Sequence, residues 1–428
     1  MPFRIALSGL AAASTDLEVS GHNIANAATN GFKQSRAEFA DIYATSIQDV
    51  SATSAGRGVR VSRVSQQFGQ GNIDFTSSNL DLAINGEGFF VLEDVAGNVS
   101  YTRAGAYTTD RNGFVANHNG DRLQVFAPVG DSVTDFNTGE TIDLQLPTLS
   151  GSPSPTDTVD AAVNLSASET PPTLPVFDPT NGETYNHSTS TTVYDSLGAA
   201  HTMTVYYVKT AAPGEWDAYT YVDGTDPANN VIPSGSLAAP PAAARLTFDS
   251  AGALIPGPGA GDVSPTGTVS YDPYLPGGGA APINLTFDYA NTTQYGTDFA
   301  VNNLTQNGFT AGRLSGVDID NTGVVFARFT NGQSLALGKV AMAKFNNPQG
   351  LRQLGDTSWA ETFTSGDVQL GEAGTSSFGL FQSGGLENSN VDIAEQLVNL
   401  ITAQRNFQAN AQVITTADTV TQTIINIR

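Results

Sequence analysis

The chain has 428 residues, of which 39% are hydrophobic and 14% charged, and it carries a net charge of −23. That length exceeds one compact domain, and 44 Gly and 21 Pro with so few charges favour short strands and tight turns over helices through most of it. The acidic balance argues against nucleic acid as a partner, which needs clustered Lys and Arg. The absence of Cys excludes disulfides, thiolate metal sites and covalent crosslinks between copies, and no run approaches the eighteen or so apolar residues of a membrane span, so no membrane insertion is expected.

From the start, Ser8 and Gly9 interrupt the apolar run MPFRIALSGLAAAS, which reads as a structural segment rather than a secretory signal. Phe3, Leu7, Leu10, Ser14, Leu17, Gly21, Ile24 and Ala28 recur at steps of four and three, a helical seam predicted over residues 3 to 28 and stopped by Asn30-Gly31. Residues 31–70, where basic side chains concentrate, read as an extended connecting segment, and Phe39, Ile42 and Tyr43 have the spacing of a short packed helix. Gly86-Glu87-Gly88 is a tight turn ahead of an apolar strand at Phe89–Leu92, and Gly113 and Gly120 punctuate hairpins.

Ser, Pro and Gly crowd residues 148–156, and prolines 256, 258, 265, 273 and 276 form a second breaker run. Between them Thr202, Thr204, Tyr206 and Val208 alternate with Met203, Val205 and Tyr207, the period of a strand. An outer β domain at 148–289 is therefore predicted as an insertion into a middle β domain formed by 71–147 and 290–387. Asp318, Asp320, Thr322 and Gly323 imitate the opening of a calcium loop, but Phe329 stands where a bidentate Glu is required, so the segment reads as a β-turn.

At the far end no Gly or Pro occurs from Val391 to Arg428. Ser389 or Asn390 is the expected cap, with Asp392 and Glu395 favouring the dipole of the first turns. Ile393, Leu397, Leu400, Phe407, Ala411 and Ile414 form one stripe, and Val413, Ala417, Val420, Ile424 and Ile427 an adjacent one, over a helix about 57 Å long. The fold class is thus mainly β with long terminal α-helices paired as a coiled coil (1–30 with 388–428), followed by nested β domains. A stripe this broad needs either neighbouring copies or the chain's own β core to cover it. No catalytic, metal or cofactor site is nominated: the histidines at 22, 118, 187 and 201 lack metal-ligand spacing, and neither a nucleophile elbow nor a phosphate loop is present.

Residues 23–33, NIANAATNGFK, closely resemble the N-terminal signature of flagellar rod and hook axial proteins. NLDLAINGEGFFVL at 79–92, YTRAGAYTTDRNGFVANHNGDRLQ at 101–124 and GGLENSNVDIAEQLVNLITAQRNFQANAQVITTADTVTQTIINIR at 384–428 follow in the family's order. The positions that carry the signature are Asn26, Asn30, Gly31, Phe32, Lys33, Gly86, Gly88, Phe89, Phe90, Glu387, Ser389 and Asn390. The interior segments 191–209, 215–222 and 312–351 look like those of the hook subunit, whereas a rod protein would lack the insertion.

That resemblance implies a subunit of the bacterial flagellar hook. Its terminal helices would line an export channel and self-assemble through Phe3, Leu7, Leu10, Leu17, Ile24, Ile393, Leu397, Leu400, Phe407, Ile414, Val420 and Ile424. It implies a curved tube acting as a universal joint outside the cell after type III export. The partners implied are copies of itself, the distal rod protein, the hook cap protein, the hook–filament junction protein and the export gate, which Phe39, Ile42 and Tyr43 would engage. A monomeric secreted binding module is the rival from another class.

Overall fold

The computed structural model describes residues 2–42, 56–130, 134–148, 151–236, 242–257, 259, 261–375 and 377–426. They form mostly short strands between two terminal helices, α1 (Pro2–Ala25) and α2 (Ile393–Asn426). The chain divides into two compact units. The first holds Met1–Thr148, Ser315–Arg328 and Ser334–Arg428, and the second Leu149–Leu314 and Phe329–Gln333.

In the first unit, α1 ends earlier than its apolar spacing predicts. Asn26 N–H donates to the carbonyls of both His22 and Asn23, and Ala27 N–H donates to Ile24, so three-residue bonds tighten the chain out of the helix before Asn30-Gly31 is reached. The stretch read as an extended connection is a hairpin. β1 (Ser35–Asp41) runs antiparallel to β2 (Val59–Gln66) with a bulge at Glu38/Phe39, and both strands lie against α1. Phe39 is therefore on a strand, not on a short helix, and Tyr43 lies outside the described residues.

Beyond the hairpin come β3 (Ile73–Phe75), β4 (Leu82–Asn85), β5 (Phe89–Glu93) and β6 (Val99–Thr102). An antiparallel sheet then interleaves the two halves of the chain. Val324–Phe329 pairs with Ser334–Val340, then Arg122–Pro128, β5, β6, Ser358–Ala360 and Arg352–Gly355 follow in turn. Its core is aromatic: Phe89 and Trp359 meet edge to face at 5.7 Å, and Tyr101 and Phe345 at 4.8 Å. The Asp320 carboxylate accepts the N–H groups of Thr322 and Val324 with Gly323 at φ +84°, which makes that segment a β-turn.

In the second unit two sheets enclose one core. Thr268–Ser270, Thr286–Asp288, Thr158–Asn164 and Ala300–Gln306 form one sheet, and His187–Tyr194, Ala200–Lys209, Glu215–Val222 and Ala244–Phe248 lead the other. Where the sequence ends the insertion at 289, Ala300–Gln306 still pairs with Thr158–Asn164 inside this unit. Met203, Val205 and Tyr207 point into the core as the alternation requires. The opposite face is not bare: Tyr206 and Tyr221 are covered by Phe177, which stacks on Tyr219 at 4.0 Å.

Burial raises the hydroxyl pKa of Tyr207, Tyr271 and Tyr289, and that of Tyr221 to about 12. Unfolded tyrosine ionises near 10, so between the two values the folded unit keeps protons that the unfolded chain releases. The stability these groups contribute is intact below about pH 10 and falls as pH rises toward 12. Alkaline titration should therefore show tyrosinate absorbance rising together with loss of sheet circular dichroism. Full tyrosine ionisation near pH 10 with the dichroism unchanged would contradict an enclosed core.

Candidate assembly surface and the polar knot beneath it

The helices meet as an antiparallel pair. A Cβ at Gly9 would lie 2.5 Å from Asn410 Oδ1, while Asn23 Nδ2, further along α1, donates to Gln396 Oε1 at 3.1 Å near the start of α2. Shielded positions recur at steps of four and three on both: Ala6, Leu10, Ala13, Leu17, Ser20 and Ile24 on α1, and Gln396, Leu400, Ala403, Phe407, Asn410, Ile414 and Ala417 on α2. Leu10, Leu17 and Ile24 of the predicted α1 seam keep their places, while Ala6, Ala13 and Ser20 take those of Leu7, Ser14 and Gly21, because small residues let the helices approach.

The predicted assembly residues consequently fall into two groups. Leu10, Leu17, Ile24, Leu400, Phe407 and Ile414 are half-buried in the pair. Phe3, Leu7, Ile393, Leu397 and Val420 stand in the open; the side chain of Ile424 lies outside the described residues. Val398 and Ile401, which the stripe did not include, extend the open face: Leu397 and Ile401 are each 47% exposed and Val398 63%. Phe39 and Ile42 are exposed as well. A recess of about 230 Å³ between α1, β1 and α2 is lined by Asp16, Asn23, Gln34, Arg36 and Glu395. Burial there holds the Asp16 carboxyl above its ordinary pKa.

Where the helices join the β structure, the signature residues converge on one buried carboxylate. Glu387 Oε1 accepts from Lys33 Nζ at 2.5 Å and from the Gly71 N–H at 2.9 Å, and Glu387 Oε2 accepts from Arg103 Nη1 at 3.2 Å. Lys33 is 1% exposed, Arg103 5% and Glu387 not at all. Lys33 Nζ also donates to the Gly69 carbonyl, and Arg103 Nη2 to that of Gly86. Burial pushes the pKa of Lys33 and of Arg103 down, and Glu387 works against that push.

Backbone geometry places these groups. Gly31 has φ +68°, its N–H donates to the Glu387 carbonyl at 2.7 Å, and a Cβ there would sit 2.4 Å from Ala104 N. Only glycine meets both demands. Gly86 and Gly88, at φ +118° and +132°, form the tight turn into β5, where Phe89 enters the aromatic core and Phe90 stacks on Phe381.

Two predicted caps do other work. Asp392 caps α2, its Oδ1 accepting from Ala394 and Glu395 N–H. Asn390 instead ties three strands of backbone together, accepting from Gln34 N–H at 2.8 Å and donating to the carbonyls of Gln67 and Gly69. Ser389 Oγ accepts from Val391 N–H, and Asn26 Nδ2 donates to the His22 carbonyl. Phe32 is buried beside His22, and Asn30 is half-buried in the turn that follows α1. Arg103 was missed as a site residue. It lies within the segment YTRAG, but nothing in its local pattern marks it as the second cation on Glu387.

The helix pair thus leaves apolar side chains in the open beside a buried ionic clamp. Family models match along the sequence in the same sense. Residues 3–33 match the flagella basal body rod protein, and 83–162 the flagellar hook protein FlgE/F/G D1 domain. Residues 164–309 match the flagellar basal body protein FlaE D2 domain, and 382–427 the flagellar basal body rod FlgEFG protein C-terminal region. Flagellar hook protein FlgE of Escherichia coli is 38% identical over 431 aligned positions covering 100% of both chains. That of Salmonella typhimurium is likewise 38% identical at the same coverage. The crystal structure of Helicobacter pylori flagellar hook protein FlgE2 shares the fold at a TM-score of 0.52 and 14% identity, covering 72% of this chain and 99% of that one. The chain belongs to the flagellar hook protein family.

Proposed function

We propose that the chain is a structural, non-catalytic subunit of the bacterial flagellar hook that polymerises through its paired terminal helices into a curved, bendable tube. The observation that carries this reading is the exposed apolar cluster Ile393, Leu397, Val398 and Ile401 near the start of α2, with Val413 and Val420 exposed further along it. A single chain gains nothing by keeping that face in water, since each square ångström covered is worth roughly 25 cal/mol. The open face of the helix pair is the persistent contact between copies, and the acidic β domains contribute smaller, wetter contacts that slide as the tube bends.

Torque passes from rod to filament through such a joint. In this reading the flanking partners are the distal rod protein, the hook cap protein and the hook–filament junction protein, and export proceeds through the flagellar type III gate. Phe39 and Ile42, exposed on the hairpin, are available to meet that gate before assembly. The domain reading keeps terminal helices, a middle β domain and an inserted outer β domain as the working parts.

Sedimentation of purified full-length protein after raising its concentration or the salt tests the reading. Fast-sedimenting tubes visible by electron microscopy are expected. A monomer with ordered helices at every concentration would favour a secreted binding module instead.

A further inference from the structure

His201 stands near the start of the strand Ala200–Lys209 in the second unit, between two carboxylates. Its Nδ1 contacts Asp223 Oδ2, and its Nε2 lies 3.4 Å from Asp195 Oδ2. An ionised carboxylate only accepts, so both contacts are hydrogen bonds only when both ring nitrogens carry hydrogen, in the imidazolium form. The third titratable group facing it is Tyr274, whose ring packs edge-on at 6.5 Å between centroids. No Lys or Arg opposes the ring among the described contacts.

The two carboxylates are held unequally. Asp195 is nearly enclosed, and its Oδ1 accepts from the N–H groups of Leu197 and Ala199 at 2.9 and 2.8 Å, so the turn fixes it independently of the ring. Asp223 is the first residue past the strand Glu215–Val222 and takes φ +58°, a left-handed conformation that a residue with a Cβ adopts at some cost. Its Oδ1 accepts from the Thr202 N–H, and its carbonyl accepts from Asn229 Nδ2 at 3.0 Å. The side chain of Asp223 thus anchors the segment that leads to Asn230-Val231.

We propose that His201 is a protonation latch: as an imidazolium it holds Asp223 in its left-handed turn, and on losing a proton it releases residues 223–231 while Asp195 stays in place. A neutral ring must turn one lone pair toward a carboxylate, and the strained, more exposed side gives way first. The two carboxylates outweigh burial and raise the ring's pKa above the ordinary 6.5. The latch therefore contributes fully below pH 6.5 and is lost as pH rises through the folded value. The inserted unit would be tighter in acidic surroundings and looser in alkaline ones, without any change at the helices.

Nitrogen-15 NMR of the imidazole rings in the full chain, assigned with His201→Gln, should show both His201 nitrogens predominantly protonated below pH 6.5 and losing a proton above it. Hydrogen exchange corrected for intrinsic rates should show protection of 223–231 falling as that signal titrates, by about tenfold for each unit of raised pKa. Asp223→Asn should move the midpoint to lower pH, and His201→Gln should give low protection at every pH with the sheet dichroism retained. An unprotonated ring nitrogen below pH 6.5, or protection of 223–231 that does not follow the ring, would overturn the latch.

Discussion

Leu397→Asp is expected to abolish tube formation while leaving the single chain folded. In the isolated subunit the side chain is exposed, so the substitution costs no buried contact and only about 0.5 kcal/mol of helix propensity. In the polymer the same position loses the burial of its exposed half, roughly 1 kcal/mol, and must also desolvate an unpaired carboxylate, which costs more. At 1.4 kcal/mol per decade, the concentration needed for assembly rises by about 100-fold or more. Sedimentation reads the assembly and thermal melting reads the fold. Leu400→Asp is the informative contrast: Leu400 is half-buried between α1 and α2, so it should damage the helix pair as well as the polymer. Normal tubes from the Leu397 variant at wild-type concentration would remove the α2 face from the assembly surface.

Glu387→Gln should destabilise the first unit by about 3–5 kcal/mol, since it leaves two enclosed cations without their anion. An amide keeps the shape but presents a donor to Lys33 or Arg103, both of which are donors themselves. The two compact units predict two thermal transitions. The one belonging to the helices and the interleaved sheet should fall by roughly 10 °C, and the other should stay in place. Adding Lys33→Met should recover part of the loss, because it removes one of the stranded charges. If the two variants were additive, the pair would not be coupled and the knot would contribute little.

Local pattern revealed some of this and concealed the rest for identifiable reasons. The terminal helices were legible because apolar spacing is a property of neighbouring residues. Half of the α1 seam was not, because the large residues Phe3 and Leu7 look more like core than Ala6 and Ala13, which in fact lie against α2. The β1–β2 hairpin was hidden by its charges: Arg36, Glu38, Arg60 and Arg63 blur the alternation, and Arg63 Nε pairs with Glu38 across the strands at 2.7 Å. The knot was the least legible feature. Lys33 and Glu387 are 354 positions apart, and Arg103 belongs to a third segment. Resemblance to rod and hook proteins marked Lys33 and Glu387 as signature positions, but only the fold shows that they exist for each other. Asn390 misled for a related reason: before a helix it reads as a cap, yet its amide is already committed to the backbone at Gln34, Gln67 and Gly69.

The interleaving of early and late strands around one carboxylate also sets an order of events. A chain emerging N-terminus first presents Lys33 and Arg103 long before residue 387 of 428 appears, so the first unit cannot close until nearly all of the polypeptide is out. The second unit is continuous through Leu314 and complete by Gln333, and it can fold while the first is still waiting. Such high contact order slows closure. The knot thereby acts as a timer: Lys33 and Arg103 have no anion to close on until the last tenth of the chain arrives.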